Sequence, residues 1–193
     1  DIAHLQGRKA APTPNGGGIV VVFALVICLL AADMSYGLLL SVLLLAALSL
    51  LHDMIGIPLP IRMLVQVMAV ILPLGTMDIG LFGAFLPPAA DKVITGAVWI
   101  WFINVFSSTD RTDGLCAVEA ISVASGLCLI AVFAGTFPSV LSTYSLILAA
   151  AVTGFLWWNW PPARIRLGAA GAVPLSFLLG YLLLLATTSG YYY

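Results

Sequence analysis

The chain has 193 residues, of which 62% are hydrophobic and 8% charged, with a formal net charge of −1 and a mean hydropathy of +1.15. A soluble domain of this length is closer to half apolar and a quarter charged, so an ordinary water-soluble fold is excluded. Long uncharged runs instead indicate an all-α polytopic membrane bundle, a single integral membrane domain over residues 1–193. The near-zero net charge singles out no partner, and no nucleic-acid partner is expected. Cys28, Cys116 and Cys128 lie in or beside apolar runs and read as small hydrophobes, with no disulfide framework. The chain starts without an initiating Met and is expected to begin inside a longer protein.

Residues 1–17 form a polar lead-in with His4, Arg8 and Lys9, followed by PTPNGGG at 12–18. Proline, Asn and three glycines exclude mid-helix. Glycines beside Arg and Lys let backbone approach a phosphate; the plainer alternative is a flexible lead-in. Seven apolar spans follow, at roughly 18–32, 37–51, 63–75, 93–106, 115–133, 141–157 and 173–186. Several fall short of the ~20 residues that cross hydrocarbon upright, which flanking residues or local thinning accommodate. His52 and Asp53 end the second span, and Gln66 is polar within the third. A longer connection runs from Thr76 to Lys92, and residues 159–171 read as a loop carrying Arg164 and Arg166.

Seven alternating spans put the N-terminus and the loops after spans two, four and six on one face. That face holds Arg8, Lys9, Arg62, Arg111, Arg164 and Arg166, against Lys92 alone on the other. By the positive-inside bias the N-terminus is expected in the cytoplasm and the C-terminus outside. Trp157, Trp158 and Trp160 fit an interfacial belt on the cytoplasmic side.

The densest polar stretch, NVFSSTDRTDGLCAVE at 104–119, brings Asp110, Arg111, Asp113 and Glu119 between two apolar spans. The i, i+3 spacing of Asp110 and Asp113 would put both carboxylates on one side of a helical turn. Two carboxylates with an Arg suit a metal-bound phosphate; a solvated loop with an Asp helix cap is the structural alternative. His52, Asp53, Asp110, Asp113 and Glu119 all fall on the cytoplasmic face. That pattern suits a charged, phosphorylated substrate meeting lipid better than a transport path, which places ionisable groups near the midplane.

Four segments in order carry a resemblance. PTPNGGG is similar to PTPRGGG, and LLHDMIGIPLPIRMLVQ at 50–66 to DD-x-x-G-L-x-x-x-x-R-L-x-x-Q. NVFSSTDRTDGL at 104–115 is similar to N-x-x-N-F-M-D-G-I-D-G-L. GFLWWNWPPARIRLGAAGAVPLSFLLG at 154–180 is similar to GFLxFNWPPARIFMGDVGSxxLGFLLG. The chain resembles the polyprenyl-phosphate glycosyl-1-phosphate transferases, and the PTP-x-GGG and NWPPA forms lean toward the O-antigen-initiating WecA and WbpL branch.

The resemblance implies transfer of a sugar-1-phosphate from a UDP-amino sugar to undecaprenyl phosphate, with release of UMP, at the cytoplasmic face of a bacterial inner membrane. It implies Mg²⁺ as cofactor and the bilayer, the lipid phosphate and the nucleotide sugar as partners. By motif position Asp53, Asp110 and Asp113 would be catalytic, with Asp110 and Asp113 on the metal. Arg8, Lys9, Asn104, Arg111, Asn159 and Arg164 would bind substrate. The sequence also departs from the motifs. His52 and Ala169 stand where aspartates are expected, Ser107 replaces Asn, Arg111 replaces Gly and Ala172 replaces Ser. Alanine has no ligand atom and imidazole favours transition metals, so weakened Mg²⁺ binding is expected. A non-catalytic relative that binds polyprenyl phosphate or a partner protein is the alternative, with a small transporter behind it.

Overall fold

The computed structural model describes residues 14, 16–77, 81–82, 85–135 and 139–189. The described residues form seven α-helices and no strand: α1 Gly17–Ala31, α2 Tyr36–Ile55, α3 Leu59–Thr76, α4 Pro88–Ser108, α5 Leu115–Phe133, α6 Val140–Asn159 and α7 Ala169–Ser189, with a 3₁₀ turn at Thr109–Arg111 after α4. Six of them are long and apolar enough to cross a membrane. The fifteen residues of α1 rise only about 22 Å, against the roughly 30 Å of a hydrocarbon core. The chain is a polytopic membrane helical bundle.

Local chemistry sets the helix ends. Ser35 caps α2, accepting from the Leu38 amide, and Gly56 closes it in the left-handed region at φ 71°. Prolines open α3 and α4, where a missing N–H is harmless. Ser139 and Ser142 form a reciprocal capping box on α6. Most helices run past the apolar spans read from hydropathy, because their polar ends stay wound. His52 and Asp53 lie inside the last turns of α2, α4 begins before Lys92, and α7 begins at Ala169.

The centre of the bundle is α7. Of its best membrane window 72% is buried, against 28–39% in α2 to α6. Trp99 of α4 stacks on Phe177 of α7 with centroids 4.9 Å apart and donates its indole N–H to the Phe177 carbonyl at 3.2 Å. The glycines of PTPNGGG pack against the chain leading into α7. The Gly17 and Gly18 amides donate to the Arg166 and Leu167 carbonyls at 3.1 and 2.9 Å. They thereby satisfy two of the N–H groups that a helix start leaves open. A Cβ on Gly18 would overlap the backbone of Gly171 and Leu167. These two glycines are therefore neither a flexible lead-in nor a phosphate loop; they are the contact that docks α1 on α7.

Candidate functional site

One end of the bundle collects the starts of α1, α3, α5 and α7 and the ends of α2, α4 and α6. Helix starts present unpaired amides, and acidic side chains from other helices meet them here. At the entry to α7, Gly168 adopts φ 73° and its amide donates to Asp110 Oδ2 at 2.9 Å. The next two amides, of Ala169 and Ala170, donate to Asp53 Oδ1 and Oδ2 at 3.3 and 3.0 Å. Two carboxylates, from the end of α2 and the turn after α4, thus cap three consecutive amides, a placement the α7 dipole favours.

Asp113 does not share Asp110's turn. Thr112 is extended at φ −103°, ψ 127°, which breaks the helical path and separates the two acids. Asp113 accepts from the Ala163 amide at 3.1 Å and pairs with Arg166 Nη2 at 3.4 Å. The same Nη2 donates to the Arg111 carbonyl at 2.6 Å. The pair that spacing predicts on one helical side is replaced by Asp53 and Asp110, which meet at the same helix start from 57 positions apart in sequence (110 − 53).

A cleft of about 310 Å³ opens beside this helix start, at the low end of the roughly 300–1,000 Å³ usual for ligand sites. Its charged lining is three guanidinium groups, Arg62, Arg111 and Arg166, against one carboxylate, Asp110; His52 and Asn104 add polar edges. Arg62 Nη1 lies 3.5 Å from His52 Nε2. A guanidinium only donates, so Nε2 accepts and the imidazole proton sits on Nδ1. Two buried nitrogens, His52 Nδ1 and Arg166 Nε, have no hydrogen-bond partner among the described residues. Asn104 forms a pair with Gln66, donating from Nδ2 to Gln66 Oε1 at 2.8 Å.

The other predicted site residues are dispersed. Asn159 is 2% exposed; it accepts from the Gly114 amide and donates to the Ile165 carbonyl, both at 3.0 Å. It clamps the start of α5 to the α6–α7 loop and leaves no group for a substrate. Arg164 lies outside the cleft, on a separate groove of about 600 Å³ with Trp157, Trp160, Pro161 and Pro162. Glu119 lines another groove, with Phe102, Phe106 and Val123. Arg8 and Lys9 lie outside the described residues. Arg62 and Arg166 were not singled out by residue type alone. Arg62 coincides with the R of the second resembled motif, and that was the available signal.

The donor set around the cleft does not fit a resident Mg²⁺. Among the described residues no three His, Cys, Asp or Glu side chains group closely enough to hold a metal. Both Asp53 oxygens and one of Asp110 are taken by amides, Asp113 is taken by Ala163 and Arg166, and Ala169 contributes no oxygen. Mg²⁺ is usually held by one or two carboxylates with waters and substrate phosphates; here one Asp110 oxygen alone is uncommitted, and the three arginines of the cleft repel a dication.

Comparison with known proteins places this geometry. Residues 35–187 match the family model described as glycosyl transferase family 4. The chain is 32% identical over 133 residues to the phospho-N-acetylmuramoyl-pentapeptide-transferase of Kocuria rhizophila, covering 58% of this chain and 35% of that protein. It is 32% identical over 117 residues to the protein of the same name from Aliarcobacter butzleri, covering 51% and 33%. The figure for the Dichelobacter nodosus counterpart is 30% over 110 residues, covering 50% and 29%. The matched stretches span about a third of the length of these curated relatives. With a seven-helix membrane bundle, a cleft at the shared helix ends and a family match over most of its length, the chain belongs to glycosyl transferase family 4, the polyprenyl-phosphate sugar-phosphate transferases.

Proposed function

We propose that the chain serves the transfer of a sugar-1-phosphate from a UDP-amino sugar to undecaprenyl phosphate, at the cytoplasmic face of a bacterial inner membrane. The observation that carries the reading is the arginine-lined cleft at one end of a membrane bundle of this family. A phosphate oxygen of the lipid attacks the sugar-bearing phosphorus. The bond from that phosphorus to the bridging oxygen breaks, and UMP leaves with the electron pair. Arg62, Arg111 and Arg166 neutralise charge on the diphosphate, where electrostatic stabilisation does most of the work in phosphoryl transfer. Opening at the helix ends lets a soluble nucleotide sugar and a lipid headgroup meet. The six-to-one count of basic residues supports the cytoplasmic side.

The names of the relatives speak of a phospho-N-acetylmuramoyl-pentapeptide, whereas the PTPNGGG and NWPPA forms favour an O-antigen or other envelope-polysaccharide sugar. UMP release from a panel of UDP-amino sugars and UDP-N-acetylmuramoyl-pentapeptide, with purified protein and undecaprenyl phosphate, tests both. Lipid-dependent release from one donor supports the reading and names the sugar. Lack of release from every donor, beside an active family member, sinks catalysis. One observation favours the non-catalytic alternative: Ala169 occupies the α7 start beside Asp53, where the resembled motif carries an aspartate. On that reading nucleotide or lipid binding survives without turnover.

A further inference from the structure

We propose that the cleft binds a diphosphate ester through Arg62, Arg111 and Arg166, and that it does so without a divalent cation. The inference rests on the substrate class proposed above and goes further by assigning the charge-neutralising groups. Three guanidinium groups and one carboxylate line the cavity. Among the described residues, neither Arg62 nor Arg111 has a carboxylate within ion-pair distance; Arg166 has Asp113 at 3.4 Å. Asp53, Asp110 and Asp113 stand at the same helix ends, but they accept from backbone amides and from Arg166, so Arg62 and Arg111 gain from an anion that accepts from both of them.

His52 Nδ1 and Arg166 Nε are buried without an acceptor among the described residues, beneath the surface of the cleft that both residues line. They belong to the packing under the site, and the guanidinium groups of the lining carry the argument. A diphosphate supplies enough oxygens to serve Arg62, Arg111 and Arg166 together. Asp53, Asp113 and one oxygen of Asp110 are already held on the α7 and loop amides.

The departures from the resembled motifs run the same way. His52 and Ala169 stand in place of aspartates and Arg111 in place of glycine. Each is one step toward positive charge, in the direction that removes a demand for metal. A bound dication would face the arginines it would have to replace.

The test is calorimetric titration of the purified, detergent-solubilised protein with inorganic pyrophosphate and with UDP-N-acetylglucosamine, once in EDTA and once in Mg²⁺. The expected result is binding in EDTA no weaker than in Mg²⁺, with Arg62→Gln and Arg111→Gln each weakening it at least about tenfold. Lys92→Gln, at the opposite end of the bundle, should leave it unchanged. Arg62 and Arg111 are chosen because Arg166 also holds the Arg111 carbonyl and Asp113. Binding that requires Mg²⁺ overturns the proposal and leaves the transferase reading standing. Binding in EDTA that survives both arginine substitutions overturns the assignment to this cleft. Absence of binding for both probes in both buffers overturns the proposal and the substrate class together.

Discussion

At the end of the bundle away from the cleft, Asp91 is buried and accepts from the Phe82 amide, nine residues back, and from the Thr95 hydroxyl, four residues on. Thr95 in turn accepts from the Leu81 amide, fourteen residues back. At the cleft end the comparable bonds join residues far apart in the chain: Gly114 to Asn159 over 45 positions, Gly168 to Asp110 over 58, Ala170 to Asp53 over 117. Both ends solve the same problem, the open amides of loops and helix starts. One end solves it with neighbours in sequence. The other solves it by drawing acids from several helices into one place, and in doing so it leaves Arg62 and Arg111 facing a cavity. Among the described residues, long-range capping is therefore what separates the cleft end from the opposite one.

The contrast can be broken most severely at the α1–α7 contact. Gly18→Val forces a side chain into the backbone of Gly171 and Leu167, and the expected cost is about 3 kcal/mol or more. Gly37→Ala, at the opposite end with open space around it, should be neutral or slightly stabilising. Thermal melts in detergent compare the two, and equal melting temperatures would remove the docking role of Gly18.

A matched pair of polar deletions sharpens the difference. Asn159→Ala unpairs the Gly114 amide and the Ile165 carbonyl, and Asp91→Ala unpairs the Phe82 amide and the Thr95 hydroxyl. Each should cost roughly 2–3 kcal/mol of stability. Pyrophosphate binding should fall only in Asn159→Ala, because that clamp holds the loop that carries Arg166. A parallel loss in Asp91→Ala would show that the two ends are coupled and not distinct.

The smallest effect concerns the Gln66–Asn104 pair between α3 and α4. A double-mutant cycle with leucine at both positions should give a coupling of about 0.6 kcal/mol, the usual size for a hydrogen bond between membrane helices. A value near zero would mean that the pair is incidental to the packing of α3.

Much of the architecture was legible from residues alone. The seven apolar runs are the seven helices, because hydrocarbon tolerates only backbone that is internally bonded. Their ends were less legible: hydropathy stops at Leu51, while the backbone hydrogen bonds of α2 continue through His52 and Asp53. In the candidate site, the stretch around Asp110 and the position of Asp53 were visible as charges in an uncharged chain. The role of Asn159 was not, since an amide that clamps two loops and one that binds a ligand look alike in sequence. Nor was the separation of Asp110 from Asp113, which depends on the extended backbone of Thr112.

By itself the sequence determined a membrane bundle, its apolar helices, and the gathering of its arginines at one end, since hydropathy and charge act through composition and need no partner. Tertiary structure alone decided which polar groups are consumed by the fold and which remain at the cleft. Asp53, Asp110, Asp113 and Asn159 are bonded to amides 45 or more positions away, and Arg62, Arg111 and His52 are left at the cleft. The reason is that every buried amide must find an acceptor, and which acceptor it finds depends on where helices distant in sequence come to rest.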